Sequence, residues 1–251
     1  MIRRIAGTLV REVKRELCER ALGEFTFRVS EFGSYRFTCG NRTEYFRTVQ
    51  FGGEAVALGA FLFSLRPDDV VWDVGASVGL FSVHAAGIAK TVVAFEPDPE
   101  TFARLRQNVE LNALQRLIQC RSEALGDKQG QVSLQTDGLA GNAPSLVDLG
   151  RHSGETAAPM TTADRLVGDH VPLPTVLKID VEGAELLVLK GATALLASAG
   201  RPRLIFLEVH PQFLPQFGGS AAEVEAVMSG HGYKLASRLR GDQVHLIATR
   251  D

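Results

Sequence analysis

The segment VVWDVGASVGLFSVHAAG, residues 70–87, constrains the fold more than any other stretch. An apolar run ends at Asp73, glycines follow at 75, 79 and 87, and a helix-like apolar stretch lies between the last two. A strand that passes through a glycine turn into a helix is the opening unit of a parallel α/β sheet. The chain then repeats that alternation. DVVWDV and TVVAFEP read as buried strands, LFSVHAAGIA and DPETFARLRQNVELNAL as helices. LIQCRSEAL and GQVSLQT read as two more strands. TVLKIDVEG is a strand before the helix AELLVLKGATALLASA, and PRLIFLEVH one before the helix SAAEVEAVMSGHG. YKLASR and QVHLIAT close the chain as a hairpin around Leu239, Arg240, Gly241 and Asp242. This pattern predicts an open, mostly parallel sheet with helices on both faces and one antiparallel strand from the final hairpin.

Ahead of it, residues 1–66 read as an N-terminal cap of helix, hairpin and helix, leaving 67–251 as the main domain. Ile2, Ile5, Leu9, Val13 and Leu17 recur at helical spacing, with Arg3, Arg4, Arg11, Lys14, Arg15 and Arg20 on the other faces. Such a helix packs on the body of the protein or on a second subunit, which makes this region the candidate homodimer contact. A basic helix on an anionic membrane is the weaker alternative. FTFRVSEFGSYRFTC, with Gly33 in its middle, predicts a hairpin, and EAVALGAFLFSL a helix. Residues 137–159, rich in Gly, Ala, Ser and Pro, lack periodicity and are expected to form a lid-like insert.

The net charge of −2, from 27 basic and 29 acidic side chains, argues against a nucleic-acid binder, which needs a basic excess. No apolar run is long enough for a membrane span. The three cysteines, at 18, 39 and 120, form no CxxC pair and suit no disulfide framework. Together with the lack of an N-terminal apolar leader, this predicts a cytoplasmic protein.

Ligands of open α/β sheets sit beyond the carboxyl ends of the strands. The residues there are Asp73, Glu96, Glu123, Asp180 with Glu182, and Glu208 with His210, six of them carboxylates. Such a rim repels a pyrophosphate and favours a cationic or hydroxyl-rich ligand. The loop Gly75-Ala76-Ser77-Val78-Gly79 also lacks the glycine at 77 that GxGxxG demands, which disfavours a nicotinamide oxidoreductase. S-adenosylmethionine fits better, with a sulfonium and an ammonium for the acids and one carboxylate for the N–H groups of the helix start. Glu96, 23 residues after Asp73, is placed to accept both ribose hydroxyls.

DVGASVG, FEPDPETFARLRQNVELN, EALGDKQG, LKIDVEGAELLVLKGA and EVH together resemble the FkbM family of S-adenosylmethionine-dependent methyltransferases, over roughly residues 54–215. The resemblance implies a class I Rossmann-like fold and transfer to oxygen, commonly a hydroxyl of a sugar or natural-product scaffold. It implies that Asp73, Gly75, Ala76, Ser77 and Gly79 hold the methionine end, Glu96 the ribose, and Glu123 and Ala124 the adenine edge. Ser77 stands where many relatives carry Asn. Glu54, which begins the helix ahead of the loop, could approach the methionine end.

An aliphatic hydroxyl must lose its proton during transfer, and a well-placed base adds roughly 10²–10⁴-fold. His210 is the first candidate, being mostly neutral at pH 7 if its pKa stays near about 6.5. Nearby carboxylates would raise that value and burial would lower it. Asp180 and Glu182, at i and i+2 of a strand, face the same way, and Glu208 and His210 repeat the arrangement. These four could hold Mg²⁺. The preferred reading has no metal, with Asp180 and Glu182 hydrogen-bonding substrate hydroxyls or loop backbone. Lys178 would pair with a carboxylate, His84 would pack at the surface, and His152 could touch substrate from the insert. His170, His231 and His245 read as ordinary loop or strand positions. The expected function is S-adenosylmethionine-dependent O-methylation of a small hydroxylated acceptor, giving S-adenosylhomocysteine. The alternatives are a Mg-dependent enzyme of the same fold or a non-catalytic cofactor-binding relative.

Overall fold

The computed structural model describes residues 2–136, 138–141, 154–169, 171–240 and 243–250. The N-terminal region runs α1 (Ile2–Glu19), β1 (Phe25–Val29), β2 (Tyr35–Cys39), α2 (Arg42–Val49) and α3 (Ala55–Ser64). There follow β3 (Val70–Val74), α4 (Leu80–Ala85), β4 (Thr91–Phe95), α5 (Pro99–Leu111), β5 (Ile118–Arg121), β6 (Ala124–Leu125), β7 (Gly130–Thr136), β8 (Gly154–Thr161) and α6 (Ala163–Gly168). The last part runs β9 (Val176–Ile179), α7 (Glu185–Lys190), α8 (Thr193–Ala197), β10 (Leu204–Val209), α9 (Ala221–Gly230), β11 (Lys234–Arg240) and β12 (Gln243–Thr249).

Among the described residues, seven strands make the central sheet, in the order β11-β12-β10-β9-β3-β4-β5. Neighbours are parallel except at β12, which runs antiparallel to both β10 and β11. From β3 the chain builds outward through β4 to β5, then returns to lay β9 on the other flank of β3. That reversal opens a crevice at the carboxyl end of β3, where such sheets bind ligands. The fold class read from the sequence holds.

The strands are apolar on both faces because helices cover both. Trp72 and Val74 face α7 and α9, packing with Leu186, Leu189, Val224 and Met228. Val71 and Val92 face the other way, toward Leu58, Phe61, Phe81 and Leu105. Phe37 and Phe51 join this second cluster, so much of the N-terminal region is a layer on one face of the sheet. Helix starts are specified locally. Asp98 accepts from Thr101 N at 2.9 Å with Pro99 at the first turn of α5, and Asn41 accepts from Glu44 N at 2.9 Å to start α2.

Several details differ from the sequence reading. LIQCRSEAL is two strands: β5 ends at Arg121, while β6 enters a separate three-stranded sheet, β6-β8-β7, that also takes GQVSLQT. The predicted helix over 184–199 breaks into α7 and α8 at Gly191. A Cβ there would stand 1.8 Å from Gly126 O, and Asp164 accepts from Ala194 N and Leu195 N to cap the new helix start. Residues 154–159 of the expected lid form most of β8; residue 137, residues 142–153 with His152, and His170 lie outside the described residues, as do Gly241 and Asp242. α2 was not read from the sequence at all. His84 is buried rather than superficial, at 1% exposure, stacked on Phe37 and edge-on to Tyr35. Cys18 and Cys39, unrelated by spacing, lie buried side by side, and their mutual hydrogen bond lowers the Cys18 thiol and raises that of Cys39. No helix among the described residues is long and apolar enough to cross a membrane.

Candidate active site

The loop after β3 is shaped by its neighbours. Gly75 N and Ala76 N donate to Phe95 O at 3.0 and 2.9 Å, tying the loop to the end of β4. Gly75 has φ +80°, and a Cβ would fall 1.8 Å from Asp180 O. Only glycine lets these two strand ends approach so closely. Ser77, at φ +50°, is a left-handed non-glycine residue whose N–H donates to Glu96 Oε2 at 2.9 Å. Its buried Oγ has no hydrogen-bond partner among the described residues.

Asp73 alternates with Trp72 and Val74 and therefore points under the loop, not into the cavity. Its carboxylate accepts from Ser82 Oγ at 2.6 Å and pairs with Lys178 Nζ at 3.2 Å, with 1% of the residue exposed. Lys178 also donates to Gly75 O at 3.1 Å and approaches Asp180 Oδ2 at 3.5 Å. Burial works to neutralise this ammonium, but the charges of Asp73, Asp180 and Glu54 overcome it and hold its pKa above the ordinary value. The pair stiffens the loop from below.

Glu96 directly follows β4, 3% exposed, with Oε2 on Ser77 N and Oε1 on Asp98 N at 2.9 Å. Burial is the main cause that pushes its pKa up to about 7, partly offset by those backbone donors. Glu54 reaches about 7 as well, through burial and the charges of Asp180 and Glu208. A cavity of about 700 Å³ opens between these strand ends, lined by Gly75, Ser77, Glu96, Glu123, Ala124 and Asp180, with Arg47 of α2 reaching in from the N-terminal layer. Arg47, Glu54, Ala76 and Lys178 line a smaller chamber beside it.

At the far flank, His210 is 1% exposed and holds Glu185 Oε1 at 2.7 Å through Nδ1, while Gln243 Nε2 stands 3.1 Å from Nε2. Burial favours the neutral ring, but the Glu185 hydrogen bond and the charges of Asp180, Glu185 and Glu182 raise its pKa to about 9. The imidazole is therefore largely protonated at pH 7, contrary to the neutral ring expected from the sequence. Asp180, Glu208 and His210 bring one ligand-type atom each within 4.8 Å of one another, a spacing that could hold a cation. His245 Nε2 lies 3.4 Å from Glu208 Oε2. Glu182 is not part of that group: β9 ends at Ile179, and Glu182 turns at φ +51° to line the main cavity. The expected strand alignment of Asp180 and Glu182 thus fails because both lie beyond the end of β9, Glu182 in a turn.

The Methyltransferase FkbM domain family matches residues 73–235. This chain belongs to the FkbM methyltransferase family. Hexuronic acid methyltransferase AglP of Haloferax volcanii is 35% identical over 189 residues, 72% of this chain and 74% of that protein. The 31-O-demethyl-FK506 methyltransferase FkbM of Streptomyces tacrolimicus is 32% identical over 223 residues, 74% and 82% of the two chains. A crystal structure of Methyltransferase FkbM from Methylobacillus flagellatus KT superposes with a TM-score of 0.51 at 16% identity, over 74% of this chain. This chain spans only 44% of that one, and the likeness concerns the fold.

In this FkbM methyltransferase the structure gathers Glu54, Gly75, Ala76, Ser77, Glu96, Glu123, Ala124, Asp180 and Glu182 around the two chambers. Gly79 lies beneath them at φ +92°, where a Cβ would meet Leu105 Cδ1 at 2.8 Å. Glu123 is partly neutralised by Arg121 at 2.5 Å. Sequence reasoning missed Arg47, Glu185 and Gln243. Glu185 carried a signal, in the string VEGAE, but no spacing linked it to a histidine 25 residues away.

Proposed function

We infer that this methyltransferase uses S-adenosylmethionine and methylates a hydroxyl oxygen of a small molecule. The observation that carries the reading is Glu96, fixed over the cavity by Ser77 N and Asp98 N with lone pairs to spare for a ribose diol. Ser77 Oγ offers an unused polar contact, Glu54 and Asp180 suit the cationic groups, and Arg47 suits the carboxylate. When bound, the cofactor supplies an electrophilic methyl group on a sulfonium. Ala124 and Leu125 would flank its base.

The chain's own part is to orient the acceptor and take its proton. In the neutral form of the ring, which grows as pH approaches 9, Glu185 accepts from His210 Nδ1–H, and Nε2 is left as the atom that receives the hydroxyl proton. Gln243 must turn aside for the hydroxyl to reach it. Asp180, between the two chambers and His210, is placed to bind an acceptor hydroxyl. An oxygen acceptor accords with the 31-O-demethyl-FK506 methyltransferase among the relatives, and a small-molecule acceptor with that enzyme and the hexuronic acid methyltransferase alike. The test incubates the protein with methyl-labelled S-adenosylmethionine and a panel of hydroxylated compounds. Label should enter an acceptor as an alkali-stable ether; label found only on nitrogen or carbon would refute transfer to oxygen.

A further inference from the structure

Beside the reaction centre lies a second cleft, of about 860 Å³, between α3 and the sheet face made by β10, β12 and β11. Its floor is laid in rungs. Phe206, Ile247 and Ala236 stand in register across the three strands, and two residues further along β10 so do Glu208, His245 and Arg238. Residues two apart on a strand share a face. The first rung is apolar; the second runs from a carboxylate through an imidazole to a guanidinium.

The opposite wall is α3, AVALGAFLFS, which is apolar nearly all round. A helix of that kind is normally covered on every side. Here Leu58 and Phe61 fill the core, while Ala60 and Val56 face outward, Val56 at 63% exposure.

The cleft lies next to the donor chambers. Gly53 lines it, and the next residue, Glu54, lines the smaller chamber. His245 lines it and pairs with Glu208, which sits against Asp180 and His210. The polar rung therefore ends at the residues assigned to the acceptor hydroxyl, and the apolar rung leads away from them.

We propose that this cleft seats the methyl acceptor, a hydroxylated amphiphile whose apolar body lies between α3 and the Phe206–Ile247–Ala236 rung and whose acidic group meets Arg238. The proposal rests on the donor site assigned above. A fully hydroxylated sugar acid would leave the apolar rung and α3 without contact, whereas a rigid apolar acid fills them.

Deoxycholate, a hydroxylated apolar acid, serves as the probe, titrated calorimetrically below its micelle concentration, with glucuronate as the polar comparison. The expected result is saturable one-to-one binding of deoxycholate and none of glucuronate. Ala60→Arg, on the exposed side of α3, should weaken deoxycholate at least tenfold, and Arg238→Gln about fivefold, with S-adenosylmethionine affinity within twofold of the parent. Val56→Arg repeats the test should Ala60→Arg misfold. No deoxycholate binding, glucuronate binding as tightly, or cleft variants that change nothing would each overturn the proposal. So would a dimer that Ala60→Arg dissociates, since the cleft would then belong to a second copy. Should S-adenosylmethionine fail to bind while deoxycholate still responds to these variants, the cofactor assignment falls and the cleft stands.

Discussion

Glu96 carries two duties with one carboxylate: it pins the glycine loop through Ser77 N and it faces the cavity. Glu96→Ala should therefore weaken S-adenosylmethionine at least tenfold, about 1.4 kcal/mol, in a binding titration; unchanged affinity would remove the ribose assignment. His210 gives a pH signature. Its raised pKa of about 9 means the proton-accepting form grows as pH climbs, so kcat/KM should rise from pH 7, reach half its maximum near 9 and level off above that. Glu185→Gln removes the hydrogen-bonded charge that raises the value, so the rise should move to lower pH. A profile flat across that range in both proteins would show that the base lies elsewhere. Lys178→Met should cost about 3–5 kcal/mol in denaturant unfolding, because it strands the buried Asp73 carboxylate. The strand-end acids were legible because strand endings were. Arg47 was not, since the helix that delivers it shows only a short and mixed pattern, RTEYFRTV, and its role depends on the N-terminal layer folding over the sheet.

Glycines decide how the elements meet. At Gly75 the strand end of β3 touches the turn after β9, and Gly75→Ala would force a Cβ onto Asp180 O at a left-handed φ. The expected loss is about 3 kcal/mol or more, a fall of roughly 10 °C in Tm, together with loss of cofactor binding. A protein of parental stability would mean the approach is looser than described. The parallel strands were readable as continuous apolar runs, and α5 from its Asp-Pro-Glu start. The α7–α8 break was not, because LLVLKGATALL keeps its helical periodicity and the cause of the break is a distant backbone oxygen, Gly126 O. The division of β5 from β6 was hidden for a related reason: two strands joined by Ser122 and Glu123 enter different sheets, which no local pattern records.

In the molecule as a whole, a crevice at the reversal of the sheet is lined with carboxylates, which we propose receive a positively charged methyl donor. The predicted consequence is linkage to protons. Glu54 and Glu96 both sit near pKa 7 because burial and like charges favour their neutral forms, and a cationic ligand must return them to the ionised state. Protons are then released on binding, and affinity falls as pH drops below about 7. Titration calorimetry of S-adenosylmethionine at pH 6 and pH 8, in buffers of different ionisation enthalpy, tests this most directly. One-to-one binding that is tighter at pH 8, with proton release near pH 7 and no heat from a nicotinamide dinucleotide, is the predicted result. Absence of binding at both pH values, or displacement of the donor by a diphosphate, would contradict it.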